Sequence, residues 1–233
     1  MLPLRDNVPT RSFPIVTVAL IVANVLVWVL YQLPDLEGSV MDLAFQPCEV
    51  VNSCPTVGQD WEVTAITSMF MHGSWAHLLG NMLFLWIFGN NVEDSMGPVK
   101  FVAFYPLGGL AATALQTAVG SHSAVPNIGA SGAIAAVLGG YLLLFPRARV
   151  VTVIFIIFFF TIVELPALLF LVIWFAQQAL LGYFDIIQPQ GGSGGGVAYF
   201  AHIGGFAFGL LAIKLFASER RRRKQIERVG GLT

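Results

Sequence analysis

The stretch Val197–Phe216, VAYFAHIGGFAFGLLAIKLF, is 20 residues long and holds one histidine, His202, with no Asp, Glu, Lys or Arg before its last turn. At 1.5 Å per residue, about 20 apolar residues in a helix cross the hydrocarbon of a bilayer. A surface helix of a water-soluble protein would keep one polar face, and this one has none. The rest of the chain agrees. Of 233 residues, 56% are hydrophobic and 11% charged, against roughly 25% charged in soluble domains. There are 19 Phe against 12 Lys plus Arg, and the mean hydropathy is +0.76. So few charges cannot cover a soluble fold, and the fold class is an all-α polytopic membrane protein.

Working outward from 197–216, further apolar segments lie at 14–33, 76–92, 99–118, 128–145 and 150–184. The first is too long for a signal h-region and has no small-residue cleavage site after it, which predicts a retained helix. The glycine-rich break Gly191–Gly196 reads as a flexible loop. The 35 residues of 150–184 allow one crossing or two, and charge decides between them. Lys214, Arg220, Arg221, Arg222, Arg223, Lys224 and Arg228 crowd the C-terminal end, and Arg147 and Arg149 the turn after 128–145. The loop 34–75 holds Asp35, Glu37, Asp42, Glu49, Asp60 and Glu62 with no Lys or Arg. Basic segments stay in the cytoplasm, so an even number of crossings separates Arg147 from the tail. The count is six spanning helices with both termini cytoplasmic. The resulting division is a cytoplasmic N-terminus 1–13, a single membrane domain 14–216 with an outer loop 34–75, and a basic cytoplasmic tail 217–233. The surplus length at 150–163 then forms a partly buried connection on the cytoplasmic side. This charge pattern, without a transit-like leader, predicts a bacterial plasma membrane. The tail is short and juxtamembrane, a contact for anionic lipids rather than nucleic acid.

With this topology the helices starting near 76, 128 and 197 all begin on the outer face, and each carries polar residues in its first turns. His77 and Asn81 are four apart and share a face; Ser131 stands in Gly129-Ala130-Ser131-Gly132; His202 precedes Ile203-Gly204-Gly205. Polar groups in hydrocarbon are costly and face a partner or a wet cavity. A lone membrane serine ordinarily bonds the carbonyl four residues back, and a lone Asn is interhelical glue. Four such groups at one depth on three helices outweigh those separate readings. Ser131 can supply a nucleophile and His202 the base that takes its proton. No carboxylate lies at matching depth, since Asp185 falls in an outer loop and Glu164 at the cytoplasmic end of its helix. The arrangement is a Ser–His dyad, with Asn81, His77 and the Ser131 backbone N–H as oxyanion donors. The sequence equally allows His77 as a brace behind the site. Gly132, Ala136 and Gly140 form one small-residue stripe and Ala201, Gly205 and Gly209 another, and such stripes let membrane helices approach closely. Gly129 and Gly132 flank the serine and ease that approach. His72 reads as a loop-fixing residue and His122 as solvated; Glu164, the one carboxylate inside an apolar run, is by default a functional candidate, or else, before Pro166, a structural acceptor at a helix start. Cys48 and Cys54, the two cysteines, allow a disulfide in an oxidising compartment or two free thiols.

The motifs His77-Leu78-Leu79-Gly80-Asn81, Gly129-Ala130-Ser131-Gly132 and Ala201-His202-Ile203-Gly204-Gly205-Phe206-Ala207-Phe208-Gly209 resemble, in order, those of the rhomboid family of intramembrane serine proteases, and of bacterial members with a six-helix core. The resemblance runs from about 13 to 216. It implies Ser131 as nucleophile, His202 as base, and His77, Asn81 and the Ser131 N–H as oxyanion hole. It also implies cleavage of transmembrane segments of single-span or polytopic substrates near their outer ends, without metal or cofactor. Some members place a tyrosine one turn after the serine, against the histidine; here that position is Ala135, so another residue must hold the ring. By analogy Phe170, Trp174 and Phe175 would form a lateral gate and loop 119–127 a cap. A transporter would spread polar groups through the full depth, and a zinc site on His72, His77 and His202 lacks H-E-x-x-H.

Overall fold

The computed structural model describes residues 1–54, 60–156, 159–187, 197–219, 221, 225 and 227. The glycine break 191–196, Phe158 and the basic positions 220, 222–224 and 228 lie outside them. The first apolar run becomes α1 (Ile15–Val27), continued by a π-helical turn Trp28–Gln32. Three short helices, α2 (Leu36–Leu43), α3 (Pro47–Val50) and α4 (Trp61–Thr67), fold the long acidic loop. Next come α5 (Trp75–Phe84), a π-helical turn Leu85–Gly89 and α6 (Asn90–Met96), which together make one long rod. The remaining helices are α7 (Pro98–Val119), α8 (Ser131–Leu144), α9 (Ala167–Ile187) and α10 (Tyr199–Phe216). Among the described residues, four stretches, Ile15–Gln32, Pro98–Val119, Ala167–Ile186 and Tyr199–Phe216, are long and apolar enough to cross a bilayer. The membrane-embedded part is thus an all-helical polytopic bundle.

Outside the bundle the all-α expectation needs one addition. Strands β1 (Leu2–Asp6), β2 (Arg149–Ile156) and β3 (Phe159–Pro166) form an antiparallel sheet in the order β1-β2-β3. Leu2 pairs with Val153 on one edge of β2, and Arg149 with Pro166 on the other. The run 150–163, expected as a buried connection, is a hairpin. Its Val, Ile, Thr and Phe content suits a pleated strand, and in an unbroken apolar run hydropathy alone does not separate strand from helix. Glu164 consequently lies in a strand rather than at a helix end, exposed and 3.8 Å from Arg149.

Two kinds of contact hold the bundle. The first is backbone proximity: a Cβ added to Gly205 would land on the Gly132 carbonyl, one at Gly209 on the Ala136 carbonyl, and one at Gly139 on the Phe206 carbonyl. The two small-residue stripes therefore face each other across α8 and α10. The second is a buried acid. α1 begins after Pro14 with no side-chain cap of its own, leaving its first N–H groups without intrahelical acceptors. Glu93 of α6, 3% exposed, accepts from the Val16 N–H (3.0 Å), the Thr17 N–H (2.8 Å) and the Thr17 hydroxyl (2.8 Å). Beside it Asp94 accepts from the Arg11 N–H (3.0 Å) and the Ser12 hydroxyl (2.7 Å). Buried at the centre, α8 has 14 residues, about 21 Å of rise. It is shorter than α7, α9 and α10, which have 22, 21 and 18 residues.

Candidate functional site

Ser131 is the first residue of α8, and Ala130 before it supplies no side-chain cap. The amide groups of this first turn are therefore free for an anion, and the helix dipole favours one there. His202, one turn into α10, lies on the α8 side because the glycine stripe below it draws the two backbones together. Its Nε2 is 2.8 Å from Ser131 Oγ. Its Nδ1 is 2.8 Å from Oε1 of Gln178, a buried residue of α9. The Trp174 ring, one turn earlier on α9, lies 5.8 Å from the imidazole, centroid to centroid. Ala135 is fully buried, and a Cβ on Gly205 would come within 3.3 Å of it. With Ala at 135, the residues beside the histidine ring are Gln178 and Trp174 of α9.

His77 and Asn81 flank Gly129 on the other side of the serine. Gly129 has φ +120°, a conformation that glycine adopts readily. A Cβ there would stand 2.7 Å from His77 Nε2 and 3.5 Å from Asn81 Nδ2. The Gly73 N–H donates to His77 Nδ1 (3.4 Å), which leaves the His77 proton on Nε2, facing the Gly129 loop. Asn81 donates from Nδ2 to Nε2 of His72 (3.0 Å). His72 is fully buried, and its backbone is clasped at both ends by the Gln32 amide (2.8 and 2.9 Å). Burial, with His77 beside it, pushes the His72 imidazole down to about 3, so it stays neutral and its Nε2 lone pair remains an acceptor.

A cavity of about 40 Å³ opens beside Ser131, room for at least one water. Its walls include Gly109, Thr113, Gly129 and Ala201. The acidic loop closes over this end. Phe45 and Asn127 exchange backbone hydrogen bonds (3.1 and 2.7 Å), the Cys48 N–H donates to Ser123 (3.1 Å), and His122 contacts the Ser53 hydroxyl (3.1 Å). Cys48 and Cys54 are joined by a disulfide.

Ser131 and His202 are thus in contact, and His77 and Asn81 meet at Gly129. Phe170 packs against Phe84 and Phe88, and Phe175 stacks on Phe206 at 4.7 Å. Asp185 is exposed in the last turn of α9 rather than in a loop. Sequence reasoning missed Gln178 and Gln32 and ranked His72 too low. The available signal was the cost of an amide inside an apolar run. Gln178 lay in the 150–184 segment, whose uncertain start left its depth unassigned.

A polytopic helical bundle with a partly buried serine–histidine contact at one helix start defines the class of protein. The family model of the rhomboid domain matches residues 58–219, and the chain belongs to the rhomboid family. Rhomboid protein 1, mitochondrial, of Saccharomyces cerevisiae is 30% identical over 215 residues, 89% of this chain and 56% of that one. Presenilin-associated rhomboid-like protein, mitochondrial, of Homo sapiens is 28% identical over 198 residues, 82% of this chain and 45% of that one. The chain spans about half the length of these relatives. The expected bacterial plasma membrane is corrected by this finding, since the yeast and mammalian relatives are mitochondrial by name. Charge segregation marks one side of a bilayer and does not say which bilayer.

Proposed function

We propose that the chain is an intramembrane serine endopeptidase that hydrolyses transmembrane segments of other membrane proteins. The observation that carries this reading is the 2.8 Å contact between Ser131 Oγ and His202 Nε2 inside the bundle of a rhomboid-family chain. Ser131 Oγ attacks the scissile carbonyl and its proton passes to His202 Nε2. The oxyanion is met by the Ser131 N–H, the His77 Nε2–H and the Asn81 N–H not given to His72. His202 then protonates the leaving amine, and a water, deprotonated by the same imidazole, releases the acyl group. Membrane lipids and membrane-protein substrates are the partners, and the chemistry calls for no metal or cofactor.

The proposal extends to topology. Six helical rods cross the bilayer, with the N-terminal region and the basic tail on one side and the serine opening toward the other. The Arg147–Arg149 turn at the far end of α8 from Ser131 supports this arrangement.

The test is cleavage of a single-span substrate in liposomes by the purified protein, beside Ser131→Ala and His202→Ala, with fluorophosphonate labelling of the serine. Cleavage and labelling should both vanish in Ser131→Ala. Cleavage that survives Ser131→Ala would falsify the nucleophile assignment.

A further inference from the structure

A serine–histidine pair works only when the imidazole presents a lone pair to the hydroxyl. Neutral imidazole carries one N–H, and which nitrogen bears it follows from what the other nitrogen meets. At Nδ1 of His202 stands the amide oxygen of Gln178, 2.8 Å away. An amide oxygen can only accept, so the proton belongs on Nδ1 and the lone pair on Nε2, facing Ser131 Oγ. Were the proton on Nε2, the ring would donate to the serine and could not take its proton.

From this geometry we infer that Gln178 is the positioning residue of His202, fixing its tautomer and ring plane in the role a carboxylate fills in three-membered sites. The inference rests on the proposed Ser131–His202 reading. Gln178 is 7% exposed whereas its neighbour Gln177 is exposed, so the polar side chain turned inward is the one that meets the histidine. Four residues earlier on the same face of α9, Trp174 packs on the imidazole. One helix therefore supplies both a hydrogen-bond partner and an aromatic wall.

The test compares wild type with Gln178→Leu, which keeps volume and loses the acceptor, and Gln178→Glu, which keeps an acceptor. Turnover is measured beside Ser131→Ala, and the His202 tautomer is read by 15N NMR of histidine-labelled protein, assigned with His202→Ala. Gln178→Leu should lower kcat by roughly ten- to a hundredfold with little change in KM, and should give His202 a mixture of tautomers. Gln178→Glu should restore most of the turnover and the Nδ1–H form. Wild-type kcat in Gln178→Leu, or a kcat loss with the Nδ1–H form intact, overturns the positioning role. Cleavage persisting in Ser131→Ala sinks the dyad reading instead, and the tautomer measurement still judges Gln178 by itself.

Discussion

At the scale of single residues, the demand for empty space is sharpest at Gly129. Its φ of +120° and the 2.7 Å that a Cβ would leave to His77 Nε2 make Gly129→Ala strained and crowded at once. The donor side of the site should shift while the Ser131–His202 contact, made by other elements, stays. Loss of one oxyanion donor costs on the order of 10²-fold or more in kcat. Gly129→Ala is expected to show that loss in liposome cleavage, with helix content by circular dichroism unchanged; near-normal turnover would refute it. Asn81 makes a related case, because one of its donors is spent on His72. His72→Ala should free the amide and lower kcat, whereas His72→Gln, which offers an acceptor, should recover part of it. Ser131, His202, His77 and Asn81 were legible in the sequence because each is a polar group at the start of an apolar segment. Gln178 was not, since it lies deep within the apolar run of α9, and the sequence does not say which neighbouring helix its side chain meets.

At the scale of elements, two helices depend on residues far along the chain. α1 has no cap within its own sequence and borrows Glu93, 76 residues away at Thr17. Glu93→Ala leaves two backbone donors and a hydroxyl unpaired, at a cost of about 2–4 kcal/mol. The protein should melt at a clearly lower temperature in detergent, and a melting point equal to wild type would show that the cap is dispensable. α10 depends on glycine. Gly209→Val would drive a side chain into the Ala136 carbonyl, separating α8 and α10 and carrying His202 away from Ser131. Both stability and turnover should fall. Gly80→Ala is the matched control: nothing lies within 4 Å of a Cβ there, and it should be neutral or more stable by a few tenths of a kcal/mol or more. Small-residue stripes advertise this packing in the sequence, although they leave open which helix receives them. The cap on α1 was hidden for a different reason. Glu93 follows an apolar segment and reads as a solvated end until tertiary structure brings Pro14 and Thr17 to it.

At the scale of the whole molecule, Asp6 links the first strand to the bundle. It accepts from Asn91 at 2.7 Å and from the Tyr141 hydroxyl, while β1 itself pairs with β2. Asp6 thus ties the N-terminal segment to α6, to the far end of the serine-bearing helix and to the hairpin. Burial raises the Asp6 carboxyl from 3.8 to about 7, with the Tyr141 hydrogen bond pulling the other way. The folded state therefore binds a proton that the unfolded chain has released between pH 4 and 7. Stability from this group is present below about pH 4 and is lost as pH rises toward 7. A dependence of this sign is opposite to the one expected of an ion-paired carboxylate. Asp6→Asn keeps the acceptor oxygen and removes the charge, so its melting temperature should exceed that of wild type at pH 8 and approach it at pH 5. The comparison is made by thermal denaturation in one detergent across that range. Parallel pH profiles for the two proteins would mean that Asp6 titrates alike in the folded and unfolded chain. In that case the Asp6 anchor adds no pH dependence to the stability of the fold.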